Sequence, residues 1–107
     1  MLLDEYQVQA LKTSTGNRGI QYAAIALAEE VGELCGKVKK MMRGDFDDQT
    51  QDEIMASMIK EGGDALWYLS YFFAQLDIPL SRVAEANLAK LADRKARGVI
   101  KGSGDDR

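Results

Sequence analysis

Histidine is absent from the 107 residues, which removes imidazole acid–base catalysis, a histidine-containing zinc site and any Ser-His-Asp arrangement together. The single cysteine, Cys35, forms neither an internal disulfide nor a cysteine cluster. Its place on a mostly apolar helical stretch predicts a small buried hydrophobe. No run of eighteen apolar residues and no charged-then-apolar leader appears, so no membrane segment is read and a cytoplasmic protein is expected. Positive charge is also short: a formal net charge of -3 disfavours a broad nucleic-acid footprint.

What is present is a globular composition, 46% hydrophobic and 29% charged. A chain of this length forms one domain, residues 1–107, and buries only a modest core unless a partner supplies more, so a homodimer or homotetramer is expected. Apolar spacing predicts an all-α, four-helix bundle-like fold. The first helix covers Leu3 to Lys12, with Leu3, Tyr6, Ala10 and Leu11 in one stripe. A polar turn, Thr13 to Gly19, leads into a long helix from Ile20 to Met42, whose basic last turn and following Gly44 suit a helix C-terminus. An acidic connector containing Phe46 precedes a third helix, Gln51 to Leu76. Pro79 closes the next connector, and Ser81 suits the N-cap of a fourth helix reaching Arg97. Residues 98–107 read as a flexible tail.

Acidic residues organise the two long helices. Glu29-Glu30-Val31-Gly32-Glu33 is answered thirty residues later by Glu61-Gly62-Gly63-Asp64. Counting about 100° per residue, Glu30 lies about 80° and Glu33 about 140° from the apolar centre of their helix. Glu61 and Asp64 repeat these offsets, about 80° and 140°, in the same rotational sense. If the short connector makes the helices antiparallel neighbours, equal offsets turn the four acids toward one groove. Converging carboxylates take up protons or gather a cation, and an all-oxygen set suits Mg²⁺ or Mn²⁺. Solvated helix residues are the plainer alternative. Gly32, Gly36, Gly62 and Gly63 each cost about 1 kcal/mol relative to alanine in a helix, which close packing or ligand space would offset.

Trp67, Tyr68 and Tyr71 lie off the apolar centre of the third helix. They predict either burial against another subunit or a wall for a nucleobase. On the fourth helix Ala84, Leu88, Leu91 and the Lys95 stem form a packing side. Asn87, Lys90, Arg94 and Arg97 form a polar stripe that is either a solvated face or a holder of phosphate oxygens.

The pattern Glu29-Glu30-x-x-Glu33 with Glu61-x-x-Asp64, followed by the Asn87/Lys90/Arg94 helix, resembles the MazG-like all-α nucleoside triphosphate pyrophosphohydrolases. The resemblance runs from the first helix to the basic tail. It implies Mg²⁺-dependent cleavage between the α and β phosphates, releasing a nucleoside monophosphate and pyrophosphate. It matches Glu30, Glu33, Glu61 and Asp64 to metal ligands, with Glu29 or an incompletely coordinated acid acting on water, and gives Asn87, Lys90 and Arg94 to nucleotide contacts. The ending Gly102-Ser103-Gly104-Asp105 resembles that of relatives, so Lys101, Ser103 and Arg107 are expected to order with nucleotide. Trp67 and Tyr71 complete the expected substrate contacts. A deoxynucleoside or noncanonical triphosphate is the expected substrate. A helical interaction module and a nucleotide-binding module without turnover are the alternatives.

Overall fold

A computed structural model of residues 1–107 is all-α: α1 Leu3–Leu11, α2 Gly19–Met42, α3 Gln51–Gln75 and α4 Leu80–Ala96. No helix is long and apolar enough to cross a membrane. The helix ends follow local chemistry. α3 opens on a reciprocal cap in which Thr50 Oγ1 accepts from the Glu53 N–H (3.2 Å) and the Glu53 carboxylate accepts from the Thr50 N–H (2.8 Å). α2 closes with the left-handed Gly44 (φ 88°), where the Asp45 and Gly44 N–H groups return to the Lys40 and Met41 carbonyls. The same closure ends α3 without a glycine. Asp77 takes φ 55°, while the Ile78 and Asp77 N–H groups bond the Phe73 and Ala74 carbonyls.

Ser81 does not cap α4. Pro79 holds the N-cap position, and the side chain that receives the orphan donors belongs to α1. Asp4 accepts from the Ser81 N–H at 2.8 Å and from the Ser81 hydroxyl at 2.6 Å. These bonds hold the Asp4 carboxyl below its ordinary pKa. A second α1 residue fastens the same corner. The Gln7 amide donates to the carbonyls of Ser70 and Ile78 and accepts from the Leu80 N–H, each at 3.1 Å. α1 therefore carries α4 and locks it to the end of α3.

α2 and α3 form the main pair. Tyr22 lies with Tyr68, Glu30 with Asp64, and Lys37 with Glu61. α3 stays helical through Gly62-Gly63. A Cβ built on Gly32, Gly36, Gly62 or Gly63 meets nothing within 4 Å, so close packing inside the chain is not what these glycines serve.

Only seven residues are buried, which leaves the single chain without a closed core. The chain exposes 7851 Å², whereas a compact monomer of its mass exposes about 5,900 Å². Helical rotation gathers six of the uncovered apolar residues on the flank of the α2–α3 pair away from the acids: Val31, Val38 and Met42 on one helix, Met55, Ile59 and Leu66 on the other. Cys35 lies along this flank and is exposed, contrary to its expected burial, because nothing in the same chain covers it. On α4, Leu88 is 66% exposed and does not pack as expected. Leu80 and Arg94 are buried instead, the first against the α1–α3 corner and the second beneath residues 104–105.

Candidate active site

The spacing of Glu30 on α2 and of Glu61 and Asp64 on α3 brings one carboxylate oxygen from each within 4.8 Å of the others. Glu30 and Glu61 are half-buried and Asp64 is exposed. Partial burial, then the charges of Asp64, Glu29, Glu61 and Glu33, push the Glu30 carboxyl above its ordinary pKa. This electrostatic cost is what a cation would relieve. Three oxygens from three side chains would suit a hard divalent ion, which takes carboxylate oxygens as ligands. Glu33 is exposed, one turn along α2 on the same flank, and Glu29 is exposed and turned further outward. Neither belongs to the close trio.

One cation touches the trio. Lys37 Nζ stands 3.6 Å from Glu61 Oε1, with both side chains mostly shielded. Sequence reasoning passed over Lys37, as it did Tyr22. The signal was available: at about 100° per residue Tyr22, Glu30, Glu33 and Lys37 fall within about 80° on α2.

Beside the acids, a cleft of about 170 Å³ is lined by the Thr13–Gly16 turn, Arg18, Tyr22, Trp67, Tyr68 and Tyr71. It continues into a shallower groove bounded by Thr13, Glu30, Asp64, Trp67 and Tyr68. The three shared residues make the aromatic cleft and the acidic groove one continuous depression. Its outer wall is fixed from α3. Trp67 Nε1 donates to the Ala10 carbonyl (3.2 Å) and Thr13 Oγ1 (2.9 Å). The Tyr71 hydroxyl donates to the Gly16 carbonyl and accepts from the Arg18 N–H, both at 3.1 Å. Trp67 and Tyr71 stack at 5.3 Å between ring centres. Tyr71 is thus buried by its own chain; α1 and the following turn cover the ring where a second subunit was one expectation. The Arg18 guanidinium lies over the Tyr22 ring at 5.2 Å. Burial and the charge of Asp64 push the Tyr6 phenol up, which brings α1 to the edge of the acids as well.

The expected phosphate stripe on α4 is divided. Asn87 and Lys90 are exposed, whereas Arg94 is buried beneath the C-terminal residues. Its Nη2 donates to the Asp105 carbonyl (2.6 Å) and the Asp105 carboxylate (3.3 Å), and its Nε has no partner. Lys90 Nζ reaches the same carboxylate at 3.4 Å. Arg94 and then Lys90 hold the Asp105 carboxyl below its ordinary pKa. Arg107 donates to the carbonyls of Val99, Ile100 and Gly104, while Lys101 and Ser103 are exposed. α4 packs chiefly on α1, and none of its residues lines the aromatic cleft or the acidic groove.

Comparison with known proteins agrees with this arrangement. The profile of the MazG nucleotide pyrophosphohydrolase domain matches residues 19–99, from the start of α2 to just beyond α4. The gene 37 protein of Mycobacterium phage L5 is 39% identical over 118 aligned positions that cover all of both chains. No solved structure matches the chain. With four helices, a carboxylate trio on the central pair and a family match over most of its length, the chain belongs to the MazG nucleotide pyrophosphohydrolase family.

Proposed function

We propose that this protein hydrolyses nucleoside triphosphates between the α and β phosphates, yielding a nucleoside monophosphate and pyrophosphate. The observation that carries the reading is the continuity of the aromatic cleft with the groove lined by Glu30 and Asp64, two members of the carboxylate trio. Phosphates and a nucleoside need such unlike surroundings side by side. Glu30, Glu61 and Asp64 hold a Mg²⁺ ion, or Mn²⁺ in its place, with Glu33 one turn away as a further ligand. When bound, the ion supplies positive charge against the phosphate oxygens and Lewis-acid activation of the attacking water. The chain's own residues do the rest. Glu29, Glu33 or an incompletely engaged member of the set orients that water and takes its proton. Tyr22, Tyr68 and the rim of Trp67 pack the nucleoside, and the Thr13–Arg18 turn faces its edge.

The preferred substrates are deoxynucleoside or noncanonical triphosphates. The antiparallel α2–α3 pair joins a second copy through the Val31/Val38/Met42 and Met55/Ile59/Leu66 flank. The excess exposed area, about 1,900 Å² per chain or about 3,800 Å² over a pair, is of the size that obligate homodimer interfaces remove. Asn87 and Lys90 then serve phosphates from a position set by the assembly, whereas Arg94 holds Asp105 of the C-terminal stretch. Replacing Glu33 or Glu61 with Gln tests the ligand set. Each variant is expected to keep wild-type helicity and to lose turnover by at least a hundredfold, and full turnover at saturating Mg²⁺ removes that residue from the site.

A further inference from the structure

We propose that Lys37 binds the pyrophosphate end of the substrate, an assignment that rests on the hydrolase reading above. The order of groups along the α2–α3 pair carries it. At one end lie Tyr22, Trp67 and Tyr68; in the middle Glu30 meets Asp64; at the other end Lys37 meets Glu61. Along α2 this is a march of seven residues, about 10 Å, from Glu30 to Lys37. Aromatic surface lines only the first end, so a nucleotide lying in the groove has one orientation. Its nucleoside occupies the cleft, its α phosphate reaches Glu30 and Asp64, and its β and γ phosphates extend over Glu61 toward Lys37.

Lys37 is suited to this exchange. Its ammonium is the one cation in an ion pair with the trio, yet at 3.6 Å it makes no hydrogen bond to Glu61, and its three donors have no acceptor elsewhere in the chain. With about a quarter of its side chain exposed, it can turn toward the groove. When Glu61 is drawn to a divalent ion, Lys37 loses its counter-charge as a highly anionic chain of phosphates arrives. A flexible ammonium is a point charge that follows such a ligand. Hydrolysis consumes one water, breaks the α–β anhydride and releases the monophosphate, pyrophosphate and one proton to solvent. Lys37 stays protonated throughout and transfers nothing; it offsets charge on the pyrophosphate fragment.

Calorimetry on the full-length protein in Mg²⁺ tests the assignment without requiring turnover, with inorganic pyrophosphate and deoxynucleoside monophosphates as separate probes. K37M is expected to weaken pyrophosphate binding about tenfold, the worth of one charge-assisted contact, and to leave monophosphate binding within about twofold. K37R is expected to keep most of the pyrophosphate affinity. Equal weakening of both probes, or of neither, in a helical K37M overturns the proposal; K37Q is held to the same two outcomes if K37M does not fold. Failure of wild-type protein to release pyrophosphate from any triphosphate instead defeats the hydrolase reading, while the binding split still decides the role of Lys37.

Discussion

Replacing Gln7 with leucine removes the polar joint of the molecule while keeping nearly the same volume. Gln7 is 6% exposed and serves three backbone groups, the carbonyls of Ser70 and Ile78 and the N–H of Leu80. The Ser70 carbonyl lies inside α3, where the helix ladder supplies another donor. The Ile78 carbonyl and the Leu80 N–H have no such reserve, and Leu80 is 3% exposed. The orphaned Leu80 N–H is buried and the orphaned Ile78 carbonyl part-buried, and at about 1–3 kcal/mol for a fully buried group the two together cost about 2–4 kcal/mol. For a domain of this size that lowers Tm by about 10–25 °C. The assay is thermal unfolding followed by circular dichroism at one fixed protein concentration, since the proposed assembly would make Tm concentration-dependent. Amide hydrogen exchange should quicken first around Ile78 and Leu80. A fall in Tm of less than about 3 °C, with exchange at that corner unchanged, refutes the claim that Gln7 joins α1, α3 and α4.

Two further outcomes follow from charge and exposed surface. Because the Glu30 carboxyl is raised, the folded chain binds its proton more tightly than the unfolded chain. Without divalent ions, Glu30 therefore makes stability fall as pH rises from about 4.5 through the raised value. E30Q should remove that slope in urea titrations with chelator, and an unchanged slope contradicts the burial and repulsion assigned to Glu30; the lowered Asp4 acts in a separate window below about 3.8, where its contribution is lost on acidification. Placing a charge on the uncovered flank by I59D should halve the molar mass in light scattering, since Ile59 is 70% exposed in the single chain; a wild-type protein already monomeric at micromolar concentration defeats the assembly.

The four helices were legible because each carries an apolar stripe and most ends carry ordinary stop or start residues. Gly44 marked the close of α2, and Thr50 with Glu53 spells the cap of α3. The start of α4 was misread because its cap, Asp4, is 77 positions away from Ser81 in sequence, and no local rule reaches that far. Rotation along α2 and α3 placed Glu30, Glu61 and Asp64 on facing flanks. It did not separate Glu33 from them, since depth in a groove depends on the neighbouring helix. The same count contained Tyr22 and Lys37, which were overlooked because a tyrosine and a lysine on a helix surface draw no notice alone. The burial of Arg94 was not legible at all. Its cover is residues 104–105, a stretch with no period to register it against α4.

The central claim is that this site cuts between the α and β phosphates with a divalent ion held by acids of α2 and α3. The most direct measurement is product release from a panel of canonical and modified ribo- and deoxynucleoside triphosphates, with Mg²⁺ and Mn²⁺ compared, scored separately for pyrophosphate and orthophosphate. Pyrophosphate in equal amount to nucleoside monophosphate, abolished by chelator and by D64N, with deoxynucleoside or modified substrates preferred over ATP, is the expected result. Orthophosphate as the product, or no pyrophosphate from any member of the panel, contradicts it.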